Sequence, residues 1–510
     1  MSADWRFLDR YPAHIGAARV PASVQAPTID GRLADDAWNL ASWNAEPFGD
    51  IAALFHEGEY SSPPAGFGSR FKLLWDDSFF YLAAELEDLY ISGSTVEHNA
   101  GPVPYKDNDF EAFFDVSGTT HYYKEYEMSA TNGTYDVLWR ATDPSTPGEG
   151  GVPCNASVPW RPEGGVWCSN SSDHDAGFSG DWTMAPALRS AARLNVSGAA
   201  SDPVVDDRGD FPFTPRSVPA PRWTAEVAFP ISAAASGPAH GGLTDTERSV
   251  APGGVLDFSR FDPNRTPPNS TRPRYWRANF ARTQHPLARG LGAATTAQCD
   301  AVQRRIPTLL GDMPWSCYWS WTWQQMGATR YLHYPDMWGV VEFQFAEGGG
   351  EAARGGAAWC RDLEWPGRHV ATTLFWAQYA HFQRHGNYSA SATALATPEY
   401  CSYDPPREAT SYCRLADLQR ALSGPQAAVF SVGIELDVQA DRCVIYPRRG
   451  APGRASGGAC FTAVVNVTTP GPRPARYSAR VQADRFTTVE WDAQETGAAG
   501  APAGGGSQCL

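Results

Sequence analysis

A mostly β fold, a two-sheet antiparallel β-sandwich with long disulfide-pinned loops and a smaller mixed C-terminal region, is what the sequence predicts, and three observations predict it. Short runs rich in aromatic and β-branched residues recur from about residue 20 to 345. Gly- and Pro-rich stretches separate them, and convincing helical periodicity is scarce there. Each sheet such strands build must bury one face against another layer, which is the reason for two sheets packed together.

In chain order, residues 1–19 form an N-terminal segment outside the sandwich. The segment Arg70 to Trp75, the acidic stretch Asp76-Asp77-Ser78 and then Phe79 to Leu86 read as a hairpin. A second hairpin joins Tyr122–Ala130 to Tyr135–Arg140 through Asn132-Gly133, a dipeptide that tolerates the positive φ angles of a tight turn. Further strands are expected at Asp109–Asp115, Trp223–Phe229, Tyr275–Arg282 and Val340–Phe345. Residues 143–220 and 284–315 read as long loops, which Cys154 with Cys168 and Cys299 with Cys317 would pin. From 346 to 496 a Cys-rich extension is expected, with an amphipathic helix at Ala371–His385 and strands near Ala428–Leu436 and Phe461–Val467. A disordered Gly/Ala tail from 497 to 510 ends the chain.

With 510 residues, 42% hydrophobic and 12% aromatic, the chain has ample material for a large core. Its net charge of −15 argues against a nucleic-acid partner, because phosphate binding rests on clustered positive charge. No apolar run approaches a membrane span. Eight of the thirteen asparagines stand in Asn-x-Ser/Thr sequons: Asn132, Asn155, Asn170, Asn195, Asn264, Asn269, Asn387 and Asn466. That excess, with ten cysteines and no C-x-x-C pair, points to disulfides and an extracellular or secretory location, although Met1–Ala18 lacks the apolar core of a signal peptide.

Seven blocks in order resemble carbohydrate-binding module family 9. Pro27-Thr-Ile-Asp30-Gly31 followed by Asp35-Asp36-Ala37-Trp38 is similar to the opening signature of that family. Leu74-Trp75-Asp76-Asp77 with Tyr81 and Asp88, and Asn108-Asp109-Phe110-Glu111 running to Asp115, continue it. Then come Tyr122 to Glu127, Trp223 to Pro230, Trp276 to Arg282 and His333 to Gly339. Trp376-Ala-Gln378 through His385-Gly386-Asn-Tyr388 resembles a helical extension that often follows these domains. The resemblance implies a sugar-binding β-sandwich that grips chain ends or small sugars between aromatic rings. It places Tyr105 on one clamp aromatic and Glu111 on an acidic ligand contact. Glu127 stands where the family has a basic contact, Ala281 where it has a glutamine, and the second clamp position falls near Leu332.

The chemistry of the residues agrees with a sugar ligand. Pyranose rings stack on aromatic faces, and their hydroxyls suit fixed carboxylates. Asp109 and Glu111 are two apart and share a strand face, while Phe110 and Ala112 point the other way. Trp319, Trp321 and Trp323 would share one face of an extended segment, as a platform for ligand or as core. Asp107 and Asp109 could supply oxygens to a structural calcium ion, the one cofactor the sequence suggests. His333, with Met326 or Met337, could ligate haem iron, and His381 with His385 could share a metal. Each has a plainer reading, as solvated carboxylates, a hydrogen-bonded loop histidine and a surface pair.

Enzyme signatures are missing: there is no G-x-S-x-G, no H-E-x-x-H and no P-loop. The expected function is therefore extracellular carbohydrate binding, with no catalytic residues. A glycoside hydrolase, or an accessory module of one in polysaccharide catabolism, is the first alternative. A haem-binding redox domain is the second.

Overall fold

The computed structural model describes residues 11–50, 67–88, 91, 93, 97–99, 103–116, 118, 120, 123–139, 178–179, 184, 187–195, 222–230, 274–284, 319–324, 332–344, 362, 364–401, 413–423, 431–439, 442–445, 454–457, 460–468, 476–483, 485 and 487–492. Thirteen strands make the main sheet: β1 (His14–Arg19), β2 (Gly49–Asp50), β3 (Ser69–Trp75), β4 (Phe79–Glu87), β5 (Asp109–Asp115), β6 (Tyr123–Ser129), β7 (Thr134–Trp139), β8 (Phe178–Ser179), β9 (Arg189–Asn195), β10 (Arg222–Pro230), β11 (Arg274–Gln284), β12 (Trp319–Thr322) and β13 (Gly339–Gln344). Their order is β8-β7-β6-β5-β11-β13-β1-β3-β4-β10-β9, with β12 and β2 branching from β11.

The sheet curls until its two wings face each other, which gives the sandwich. Phe80 of β4 lies five strands from β5 in that order, yet its ring centroid is 5.6 Å from that of Phe114 on β5 and 5.3 Å from that of Trp276 on β11. Phe71 of β3 meets Phe280 of β11 at 4.1 Å. Such contacts are what alternating apolar positions produce when two inner faces interdigitate. Two expectations need correction. The sheet begins at His14, inside the segment expected to precede the sandwich, and it is not purely antiparallel. β1 runs parallel to both β13 and β3, filling the gap between the two wings.

The blocks at the start of the chain are wired to each other. Glu226 of β10 accepts from the backbone N–H groups of Asp30 and Gly31 at 2.9 and 2.8 Å, and from Trp38 Nε1 at 2.8 Å. Gly31 has a φ of 76°, and a Cβ there would stand 2.9 Å from Arg193 Cβ. Only glycine fits that turn without strain. Asp76 caps the first hairpin by accepting from the N–H groups of Ser78 and Phe79 and from the Tyr81 hydroxyl.

The C-terminal extension contains β14 (Ser431–Gln439), β15 (Arg442–Ile445), β16 (Arg454–Gly457), β17 (Cys460–Thr468), β18 (Arg476–Gln482) and β19 (Thr487–Trp491), with helices α1 (Trp365–His385), α2 (Ala392–Leu395) and α3 (Leu415–Leu422). A four-stranded antiparallel sheet, β14-β17-β18-β19, packs against α1. That helix starts six residues before the predicted Ala371, and its middle is not amphipathic. Val370, Ala371, Leu374, Phe375, Trp376 and Ala377 are all buried, so neighbours cover it on several sides. Gly367 lets α1 approach β18: its N–H donates to Tyr477 Oη at 3.1 Å, and a Cβ would sit 2.6 Å from the Tyr477 ring.

The extension and the sandwich share a core. Phe113, Tyr123 and Val137 of the sandwich join Leu374, Phe375, Trp376 and Phe461 in one buried cluster. Arg485, with φ of 68°, pairs with Asp336, while its guanidinium lies 4.5 Å from the Tyr334 ring centre and 5.0 Å from that of Trp376. A disulfide joins Cys401 to Cys413. Cys154, Cys168, Cys299 and Cys317 lie outside the described residues, as does the tail from 497. No described helix is long and apolar enough to cross a membrane.

Candidate functional site

Alternation along β5 divides its side chains between two environments. Phe110, Ala112 and Phe114 enter the sandwich core, which leaves Asp109, Glu111 and Phe113 on the opposite face. Antiparallel pairing sets Glu111 opposite Glu127 of β6 and Ala281 of β11, and Asp109 opposite Ser129 and Thr283. Glu125 lies two residues from Glu127 on the same face, and Tyr135 of β7 stands opposite Glu127. The result is a strip of carboxylates across two adjacent strands, β5 and β6, with Tyr135 of β7 along its edge.

These carboxylates are buried: Asp109 is 0% exposed, Glu127 3% and Glu111 4%. Thr283 ties two of them together, its N–H donating to Asp109 Oδ1 at 3.0 Å and its hydroxyl to Glu111 Oε1 at 2.8 Å. Asp109 Oδ2 is buried without a hydrogen-bond partner. Burial, partly relieved by the Thr283 hydroxyl, pushes the Glu111 carboxyl up to about 7. Asp109 is raised well above the usual carboxylate range by burial and by Glu111 beside it. Glu127 is raised by burial and then by the charges of Glu125, Asp109 and Glu111.

Tyr105 sits in a 3-10 turn, Pro104–Lys106, at the entrance to β5. It is half-buried, and its backbone N–H donates to Glu127 Oε2 at 2.8 Å. The turn is therefore fastened directly to the acidic strip. Tyr105 also acts electrostatically on the hydroxyl of half-buried Tyr135, whose pKa rises through burial and the nearby Glu125 and Glu127. Two phenol rings thus accompany the carboxylates. Beyond Asp109 the end of the sandwich is polar, where Asp88 accepts from Asn108 Nδ2 and Gln284 Nε2 at 3.0 Å each and pairs with Arg282 at 3.3 Å.

The structure brings Tyr105, Asp109, Glu111 and Glu127 together and places the other predicted residues elsewhere. Trp321 and Trp323 are 1% and 2% exposed in the sandwich core, where Trp323 packs on Phe71 and Phe280, so they are core side chains and not a platform. Trp319 lies in β12 with its side chain outside the described residues. His333 is half-buried, with Nδ1 2.8 Å from the Tyr123 hydroxyl and its ring edge-on to Phe113; burial lowers its pKa to about 3. Leu332 belongs to the core shared with the extension. His381 and His385 are 4.6 Å apart at the end of α1, where Nε2 of His385 is 2.8 Å from the Tyr400 hydroxyl. Asp107 is buried beside Asp109, and no group of three His, Cys, Asp or Glu residues among those described could hold a metal.

Sequence reasoning missed Tyr135 and Glu125. The signal was present in the second hairpin, because a tight turn at Asn132-Gly133 sets Tyr135 opposite Glu127. Of the sequon asparagines, Asn132 (φ 65°) and Asn387 are exposed, and Asn466 is half-buried beside Glu435. Asn195 ends β9 with its side chain undescribed, while Asn155, Asn170, Asn264 and Asn269 lie outside the described residues.

No curated protein matches the chain. Among solved structures it is similar to a carbohydrate binding module family 9 from Caldicellulosiruptor kristjanssonii in complex with cellotriose, at 12% identity and a TM-score of 0.27, over 66% of this chain and 96% of that one. The same module in complex with glucose matches at 12% identity and a TM-score of 0.27, over 66% and 98%. A putative carbohydrate-binding protein from Bacteroides uniformis matches at 9% identity and a TM-score of 0.32, over 65% and 100%. Residues 29–151, which hold the opening signature, both hairpins and the whole of β5 to β7, match the family described as carbohydrate family 9 binding domain-like. The chain therefore carries a carbohydrate family 9 binding domain-like region across residues 29–151.

Proposed function

We propose that this protein is an extracellular carbohydrate-binding protein whose ligand contacts the β5–β6 face. The observation that carries the reading is the strip of Asp109, Glu111 and Glu127 beside Tyr105 and Tyr135, inside the region that matches the family. Carboxyl groups on rigid strands can fix hydroxyls, and a phenol ring on a turn can lie against the C–H face of a pyranose. The family that residues 29–151 match is described as carbohydrate-binding, which supports sugar as the ligand class. The exposed sequons at Asn132 and Asn387 and the Cys401–Cys413 disulfide support a secretory route, with glycans on the surface.

A glycan-array screen of the full chain tests the reading. Binding to a defined set of sugars, lost in Glu111→Gln, is the expected result. An array with no hit would overturn it.

A further inference from the structure

We infer that the β5–β6 site is built for a sugar carrying a protonated amine, an amino sugar, rather than for a neutral sugar. The inference rests on the carbohydrate reading above and deepens it.

The first ground is the charge of the strip. Asp109, Glu111 and Glu127 lie on one sheet face within two residues or one strand of each other, and Glu125 and Asp107 extend the strip at either end. Neutral hydroxyls do not call for that density of carboxylates, each of which raises the cost of ionising the next. The guanidinium that senses Asp109, Arg282, is aligned with Phe110 on the core side and is paired with Asp88. It does not neutralise the outer strip.

The second ground is the unused acceptor. Asp109 Oδ2 is fully buried inside the strip without a hydrogen-bond partner, while Oδ1 of the same carboxyl is held by the Thr283 N–H. A buried carboxylate oxygen without a donor is costly. An ammonium brings three donors and a positive charge, so one group meets both the missing hydrogen bond and the crowding of acids.

Shape decides against a metal ion as the occupant. No three acidic groups among the described residues converge tightly enough. A row of carboxyls flanked by Tyr105 and Tyr135 suits a sugar ring with amine and hydroxyl substituents along its edge.

The test is titration calorimetry of the full chain at neutral pH with three probes of equal length: chitosan oligosaccharide, chitin oligosaccharide and cello-oligosaccharide. These carry a free amine, an acetylated amine and a hydroxyl at the same position. The inference expects the chitosan probe to bind at least tenfold more tightly than the other two. It expects that ratio to fall toward one in Asp109→Asn and in Glu127→Gln, the latter keeping an acceptor for the Tyr105 N–H. Thermal melts of both variants run in parallel, and if either fails to fold, the wild-type ratio alone decides. Equal affinity for all three probes overturns the amine preference and leaves the carbohydrate reading standing. No binding of any probe overturns both. Calcium chloride alone binding one ion per chain, with loss in Asp109→Asn, would make the strip a metal site and overturn the inference.

Discussion

Glu111 carries the clearest consequence at the scale of a single residue. Its carboxyl titrates near 7 in the folded chain against 4.5 in an exposed glutamate, so the folded state binds the proton more tightly. Stability from that proton is fully present below the unfolded value and is lost as pH rises through the folded one. Asp109 and Glu127 are shifted in the same direction, as is Asp362, which burial and Glu364 raise to about 7. The melting temperature is therefore expected to fall by a few degrees between pH 5 and pH 8. Glu111→Gln should flatten part of that slope. Differential scanning calorimetry across the range checks it, and a melting temperature that rises toward pH 8 would contradict the assigned burial. Residue roles were legible where strand alternation determined them. Asp109 and Glu111 were expected on one face and are there. Trp321 and Trp323 share a face as expected, but alternation cannot say which face is core, and only the curl of the sheet settles it.

At the scale of elements, turn chemistry was the most readable part of the chain. The Asp76 cap and the Asn132-Gly133 turn both form where sequence placed them, because short-range hydrogen bonds and a positive φ are local properties. The parallel pairing of β1 was not readable, since His14–Arg19 meets β13 more than three hundred residues later. Helix α1 also began earlier than its period suggested, because its contacts with β17 and β18 cover more than one stripe. Gly367 is the point at which that packing is tightest. Gly367→Ala should cost roughly 1–3 kcal/mol, since the new methyl must displace the Tyr477 ring. Chemical denaturation measures this directly, and an unchanged midpoint would mean that α1 does not rest on β18 as described.

At the scale of the whole molecule, the described residues make one sandwich with an extension fastened through a shared core. The fastening centres on Arg485, which pairs with Asp336, accepts at its backbone carbonyl a hydrogen bond from the Thr120 hydroxyl at 2.6 Å and lies on the Tyr334 and Trp376 rings. Removing one partner of a buried pair leaves the other uncompensated, so Arg485→Ala should destabilise the chain by about 3–5 kcal/mol. Because Phe113 and Tyr123 belong to the same cluster, the loss is expected to reach the β5–β6 face and weaken ligand binding. Limited proteolysis and a binding assay on the same sample test this coupling, and an intact affinity in a loosened variant would refute it. The broad architecture was legible because a sandwich follows from repeated strands. The shared core was not, because it joins residues such as Phe113 and Phe461 that no local pattern connects.

The measurement that bears most directly on the central claim is titration calorimetry of wild type and Tyr105→Ala against the strongest array hit, beside thermal melts of both. Tyr105 is half-buried on a turn and its tie to Glu127 is made by the backbone, so alanine keeps the turn fastened and removes only the ring. The account predicts an affinity loss of roughly tenfold, or about 1–2 kcal/mol, with the melting temperature nearly unchanged. Unaltered affinity with an unaltered melt would place the ligand away from the β5–β6 face and contradict it.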